Sequence, residues 1–138
     1  MEKLIQSEPY FFHKEQLYYT KGLINELEGD YVGAIENHKK ANEFNKTALP
    51  QLIGLARCHR LNDESKIARE YVDMALQLYP FHGEAKYESA LIYAESGKIN
   101  KAKEEIEVVL DIWSAADNDH IKANKAKKNL AEWEQQVK

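Results

Sequence analysis

The sequence predicts an all-α protein built as an array of short helices, and three observations indicate this class. First, its 138 residues include only six glycines and three prolines, so residues that interrupt helices are scarce. Second, apolar residues recur at spacings of three and four, and no turn-bounded segment alternates as a β-strand does. Third, one helix–turn–helix pattern recurs along the chain with a constant period.

The helical pattern divides into seven segments that are separated by turns. Short side-chain oxygens suit helix starts because they accept an unpaired backbone N–H, and Ser7, Asp30, Thr47 and Asp63 stand at such places. The aromatic run Tyr10, Phe11 and Phe12 is expected to extend or cap the first helix. The predicted helices cover about 9–28, 31–45, 48–60, 64–79, 83–95, 99–114 and 118–136.

The stretch EGDYVGAIENHKKA, residues 28–41, is repeated twice. It aligns with residues 62–75 after a shift of 34 residues and with residues 96–109 after a second shift. Small side chains coincide in the three copies, and they let antiparallel helices approach to about 8–10 Å. Three helix pairs in series predict a solenoid. The coincident residues are Ala34, Ala68 and Ala102, then Ala41, Ala75 and Val109, then Gly22, Ala56 and Ala90.

The unit resembles the tetratricopeptide repeat, a 34-residue helix–turn–helix with characteristic small residues. The resemblance implies a right-handed superhelical α-solenoid in a single domain, 1–138, with units at about 15–48, 49–82 and 83–116 and a capping helix at about 118–136. The matching residues are Gly22, Gly29, Asp30, Tyr31, Ala34 and Ala41 in the first copy, Leu52, Leu55, Ala56, Ala68, Tyr71, Ala75 and Pro80 in the second, and Ala90, Tyr93, Gly97, Ala102, Ile106 and Val109 in the third.

The composition argues against several other classes of function. A net charge of −4 lacks the basic excess of a nucleic-acid surface, and no apolar run approaches the length of a membrane span. The N-terminus has no signal-peptide pattern, and Cys58 is the only cysteine, so we expect a reducing, cytoplasmic location. The basic cluster near Lys125 is interpreted as a solvated helix face.

The chemical candidates favour structural roles. Cys58 and His59 are neighbours on a helix and point about 100° apart, so they do not make a nucleophile and base, and a buried Cys58 is predicted. The run 117–120 lacks the glycine and final glutamate of a calcium loop, and Asn118 or Asp119 is predicted to cap the last helix. The histidines show no metal-ligand spacing. We therefore expect no enzyme activity, no cofactor and no metal.

The resemblance implies a binding groove lined by the first helix of each pair, with another protein or a peptide as the partner. An alternative is that some groove residues are covered by the protein's own helices. A second alternative is a domain of a larger bacterial enzyme or regulator that docks intramolecularly or mediates self-assembly, and the expected state is a monomer or weak homo-oligomer. The predicted groove residues are Tyr19, Leu23, Ile53, Arg57, Arg60, Tyr87 and Leu91.

Family members that bind chaperone tails grip terminal carboxylates with lysine, asparagine and arginine. The corresponding positions here carry Tyr19, Leu23, Gly54, Glu84 and Glu88, so binding of Hsp90- or Hsp70-type tails is not expected. The basic residues that remain for an acidic group are the two arginines of the groove set.

Overall fold

In the computed structural model, residues 8–115 and 120–136 are described, and they form seven α-helices and no strand. The predicted all-α class and the number of helices are confirmed for this part of the chain. The predictions on Ser7, on Asn118 and Asp119, and on the side chains of residues 10–12 lie outside the described residues. The helices are α1 (Glu8–Leu27), α2 (Tyr31–Phe44), α3 (Leu49–Leu61), α4 (Ser65–Leu78), α5 (Gly83–Glu95), α6 (Ile99–Ile112) and α7 (Ile121–Gln136).

The helix boundaries follow the 34-residue period of the sequence. The second helices of the pairs begin at Tyr31, Ser65 and Ile99, in steps of 34 residues. The first helices end at Leu27, Leu61 and Glu95 in the same steps. The nine small residues in register are all buried, and Val109 and the seven alanines among them are 0% exposed. These positions are therefore packing positions, because a side chain no larger than valine fits where helices approach closely.

The turn within each pair requires one residue in the left-handed backbone conformation. Gly29 and Gly97 have φ angles of 76° and 79°, and Asp63 occupies the equivalent place with φ 61°. Glycine has no Cβ and adopts this conformation without strain, and aspartate tolerates it better than most residues. The prediction that Asp63 is an N-cap is wrong, since the first helical hydrogen bond of α4 runs from the Ala68 N–H to the Glu64 carbonyl.

Two other predicted caps have different outcomes. The Oδ1 atom of Asp30 accepts a hydrogen bond of 2.9 Å from the Gly33 N–H, so Asp30 caps α2 as predicted. Thr47 does not cap α3: the N-cap position is Ala48, without a side-chain hydrogen bond, and Pro50 lies in the first turn. The hydroxyl of Thr47 donates instead to the side chain of Asn45. Pro50 reduces the need for a cap because it has no N–H to satisfy.

The chain consists of two compact units, Met1–Tyr71 (unit 1) and Val72–Lys138 (unit 2). In unit 1, a core of Ala34, Ile35, Leu55 and Cys58 packs against Tyr71. In unit 2, the core consists of Ala90, Ala102, Ile106, Val109, Ala126 and Trp133.

Among the described residues, no helix combines the length and the hydropathy that crossing a bilayer requires.

Candidate functional site

Unit 1 contains a charged cluster that joins its first three helices. Glu26 of α1 lies next to His38 of α2, with 2.8 Å between Oε2 and Nε2. Arg57 of α3 donates to the same carboxylate twice, at 2.5 Å from Nε to Oε1 and at 3.0 Å from a terminal nitrogen to Oε2. We name these three residues the Glu26 cluster. A bidentate guanidinium–carboxylate pair of this kind is geometrically specific and stronger than a neutral hydrogen bond.

The imidazole of His38 is 0% exposed, and two glycines make room for it. A Cβ on Gly22 would lie 2.6 Å from ring atoms Cε1 and Nδ1, and a Cβ on Gly54 would lie 3.1 Å from Nε2. One glycine comes from α1 and the other from α3, so the ring of α2 contacts both helices where they have no side chain. The ring of Tyr19 covers a further side, with 5.5 Å between ring centroids.

The cluster holds Glu26 in its ionised form. Burial raises the pKa of this carboxyl group, but hydrogen bonds from His38 and Arg57, with the positive charge of Arg57, more than offset burial and lower the pKa to about 2. Glu26 is therefore an anion at neutral pH, and it accepts hydrogen bonds from both partners. Its charge is directed at Arg57, which consequently presents less positive charge to any partner outside the protein.

Cys58 lies beside this cluster, and it is buried, as the sequence predicts. Its side chain is 0% exposed and is not in a disulfide. The ligand-type atoms of Glu26, His38 and Cys58 all lie within 4.8 Å of one another. A nucleophile must reach its substrate, so a thiol without exposed surface is a poor candidate for covalent catalysis.

A second buried histidine lies one residue further along α3. His59 is 4% exposed, where the tetratricopeptide pattern often has tyrosine, and its ring stacks on Tyr71 at 5.5 Å with 11° between the planes. Its Nδ1 atom lies 3.3 Å from Glu64 Oε1. Burial lowers the pKa of His59, and the hydrogen bond with Glu64 opposes this only in part. His59 therefore serves as a neutral, stacked core residue at pH 7.

The predicted groove residues of unit 1 differ in exposure. Ile53 is 3% exposed, so it is packed in the interior, whereas Tyr19, Leu23, Arg57 and Arg60 are partly exposed. Tyr19 contacts the His38 ring and Arg57 binds Glu26, so both also support the buried cluster. Leu23 lines an open cleft.

That cleft has a volume of about 450 Å³ and is lined by Leu23, Glu26 and Leu27 of α1. Leu27, at the edge of this cleft, is 89% exposed. Positions 19, 23 and 27 follow each other at helical spacing of four, so Tyr19 continues the same apolar stripe. We name Tyr19, Leu23 and Leu27 the α1 stripe.

The predicted groove residues of unit 2 are occupied within the unit. The hydroxyl of Tyr87 donates to Asn129 Oδ1 of α7 at 2.7 Å, and its ring lies 6.0 Å from that of Trp113. Leu91 packs against the unit 2 core, which includes Ala126 of α7. In this unit the closing helix therefore contacts Tyr87, and Leu91 packs into the core, although the sequence assigned both residues to a partner.

The start of α7 is capped by a residue that the sequence prediction did not name. The Nδ1 atom of His120 accepts a hydrogen bond of 2.8 Å from the Ala123 N–H. We expect His120→Ala to lower the free energy of unfolding by about 1 kcal/mol, because an N–H of the first turn loses its acceptor. Chemical denaturation of His120→Ala and His120→Asn measures this. Asparagine also caps helices, so an equal loss in both variants would contradict the role in capping.

Comparisons with known proteins address the fold. The sequence matches no protein-family model, and it matches no curated protein. Among solved structures, the first TPR of Spaghetti (RPAP3) bound to an HSP90 peptide has a TM-score of 0.78 at 18% identity, with 91% of this chain and 96% of that chain covered. The Sgt2 TPR domain from Aspergillus fumigatus gives 0.78 at 16%, covering 89% and 78%. The Yersinia enterocolitica translocator chaperone SycD gives 0.82 at 10%, covering 91% and 96%.

The helix pairs with their shared packing positions define the class of helical-repeat proteins. Within that class, the chain has the fold of the tetratricopeptide repeat, as the sequence resemblance predicts. The matched structures share less than a fifth of their residues with this chain. At this low identity the structural similarity establishes the fold alone. The roles of the site residues have to be argued from this chain itself.

Proposed function

We propose that the chain is a non-catalytic protein-interaction module, a scaffold or adaptor, that binds a peptide or a partner helix. The observation that carries the proposal is the α1 stripe with its open cleft of about 450 Å³. Apolar and aromatic side chains beside a concavity are typical anchors for a peptide side chain. Helical-repeat proteins bind through residues of this kind on rigid helices.

Solved structures of the same fold support binding of peptides. They include the first TPR of Spaghetti with an HSP90 peptide, the TPR2B domain of yeast Sti1 in complex with pHsp70, and SycD with a peptide of the translocator YopD. The fold thus accommodates ligands of different chemistry, and the side chains on the surface decide which one binds.

For this chain we propose a ligand with an apolar anchor rather than an acidic tail. Glu26 neutralises Arg57, and the clamp positions of α5 carry Glu84, which pairs with Lys122, and Glu88, which is 4% exposed. A terminal carboxylate would meet no cluster of unopposed basic groups at these positions. An apolar side chain of a ligand, in contrast, gains by covering Leu23 and Leu27.

A peptide selection tests this proposal. Peptides are selected from a random library on the wild-type protein, and their affinity is measured by fluorescence anisotropy. We expect Leu23→Glu and Leu27→Glu to weaken binding at least tenfold, since each places a charge in an apolar contact. Val32→Glu is the matched control, because Val32 is also exposed, at 66%, but lies on α2. The peptide SRMEEVD is expected not to bind.

Two results would contradict the proposal. Equal weakening by all three glutamate variants would show a general effect of charge, and unchanged binding in Leu23→Glu and Leu27→Glu would exclude the α1 stripe. Charge reversal at Arg57 is unsuited as the test because it also breaks the Glu26 cluster inside unit 1.

A further inference from the structure

Three side chains with metal-binding atoms, each from a different helix, meet in the interior of unit 1. They are the carboxylate of Glu26, the imidazole of His38 and the thiol of Cys58, and their ligand atoms lie within 4.8 Å of one another. His38 and Cys58 are 0% exposed, and the side chain of Glu26 is 12% exposed. We propose that these residues form a binding site for a divalent ion of the Zn²⁺ type. This proposal is independent of peptide binding.

The ligand types select the metal. Zn²⁺ binds sulfur, nitrogen and oxygen ligands at about 2.0–2.3 Å in a tetrahedral arrangement, so pairs of ligand atoms lie roughly 3.5 Å apart. The ligand atoms of the three residues lie within 4.8 Å of one another, so binding an ion would draw them closer together. A thiolate disfavours Mg²⁺ and Ca²⁺, which prefer oxygen ligands. Three protein ligands leave a fourth position for water.

The charges of the ion and its ligands balance when the ion is bound. The ion takes the place of the hydrogen between His38 Nε2 and Glu26 Oε2, and that hydrogen moves to His38 Nδ1 or to solvent. The thiol of Cys58 loses its proton to solvent, because the thiolate is the form that binds metals. One divalent ion with one carboxylate and one thiolate has no net charge, and the guanidinium of Arg57, whose side chain is 23% exposed, adds one positive charge that solvent partly screens.

Arg57 is compatible with this site as an outer partner of a ligand. Its Nε atom donates to Glu26 Oε1, and a terminal nitrogen donates to Oε2, the oxygen next to His38. Carboxylates that bind metals are themselves oriented by hydrogen bonds from neighbouring groups. The guanidinium therefore fixes the orientation of Glu26, and Oε2 would still accept from Arg57 while it binds the ion in place of the His38 hydrogen.

A further observation favours a site that an ion can reach. The cleft lined by Leu23, Glu26 and Leu27 gives an ion a path from solvent to the Glu26 carboxylate.

Cobalt binding tests the proposal with an unambiguous signal. Untagged protein is freed of metal with a chelator and titrated with Co²⁺, and the absorbance from thiolate-to-cobalt charge transfer is recorded. Since Cys58 is the only cysteine, this band can arise only from Cys58. We expect saturation at one Co²⁺ per chain, independent of protein concentration, and loss of the band when one equivalent of Zn²⁺ is added.

Variants separate a built site from adventitious binding. Cys58→Ala is expected to abolish the band, and Glu26→Gln is expected to weaken Co²⁺ binding roughly tenfold or more. His82→Asn serves as the matched control, because His82 is a helix cap in unit 2 and asparagine can replace it there. Absence of the band in the folded wild type overturns the proposal, as does a band that is unaffected by Glu26→Gln or that saturates at two chains per ion.

Discussion

Gly22→Ala is expected to lower the free energy of unfolding by about 3 kcal/mol, because its methyl group would collide with a buried ring. The added Cβ would lie 2.6 Å from two atoms of the His38 imidazole. The ring cannot move away freely, since it is 0% exposed and is bonded to Glu26. Overpacking of a core costs about 1–3 kcal/mol, and displacement of the ring also weakens its hydrogen bond with Glu26.

A double-mutant cycle distinguishes this collision from a general effect on the helix. Alanine has a higher helix propensity than glycine by about 1 kcal/mol, so Gly22→Ala should become neutral or stabilising when His38 is also replaced by alanine. Gly54→Ala is the matched control, with its nearest contact at 3.1 Å, and a smaller loss is expected there. Denaturation by urea measures all four variants. Additive losses from Gly22→Ala and His38→Ala would contradict the collision.

The fold could be predicted from the sequence because local features that determine it recur along the chain. The first helices of the pairs end, and the second helices begin and end, in steps of 34 residues, and each small residue in register is buried. Helix packing needs the same small side chain at the same place in every copy, so three weak signals reinforce one another. The small residue expected at position 22 is therefore explained as a packing position. The close approach of two helices does not by itself explain why this residue is glycine rather than alanine.

The Glu26 cluster could not be predicted from the sequence in the same way. Glu26, His38 and Arg57 are each an ordinary polar residue on a helix, and no spacing rule connects positions 12 and 31 residues apart. The available signal was glycine at both 22 and 54, because a glycine in a helix leaves space for a group from a neighbouring helix. Only the pairing of the helices identifies that group as His38.

The same limit applies to the predicted anion contact at Arg57. An arginine on a groove-lining helix predicts a site for an acidic group, provided that no carboxylate of the protein itself reaches it. Glu26 lies 31 residues earlier and satisfies the guanidinium twice. Charge assignments from register are therefore less secure than packing assignments, because one tertiary ion pair reverses their meaning.

Acidification is expected to remove about 2 kcal/mol of stability through Glu26 alone. Its pKa is about 2 in the folded protein against an ordinary value of 4.5. A carboxyl group with a lowered folded pKa stabilises the protein fully above its unfolded pKa, and this contribution is lost as the pH falls through the folded value. The full shift corresponds to about 3 kcal/mol, which partial screening by solvent reduces to about 2 kcal/mol. The loss should occur between about pH 5 and pH 2.

Glu26→Gln isolates this contribution, because glutamine resembles the protonated acid in size and charge. In buffer with a chelator, the free energy of unfolding of the wild type should exceed that of Glu26→Gln by about 2 kcal/mol at pH 7, and the difference should shrink towards zero near pH 2. Glu36→Gln is the control, since Glu36 is 68% exposed and its pair with Lys40 is a surface contact of little energy. A difference between wild type and Glu26→Gln that does not change with pH would show that the carboxylate contributes shape rather than charge, and the Glu26 cluster would then be a packing feature instead of an ion pair.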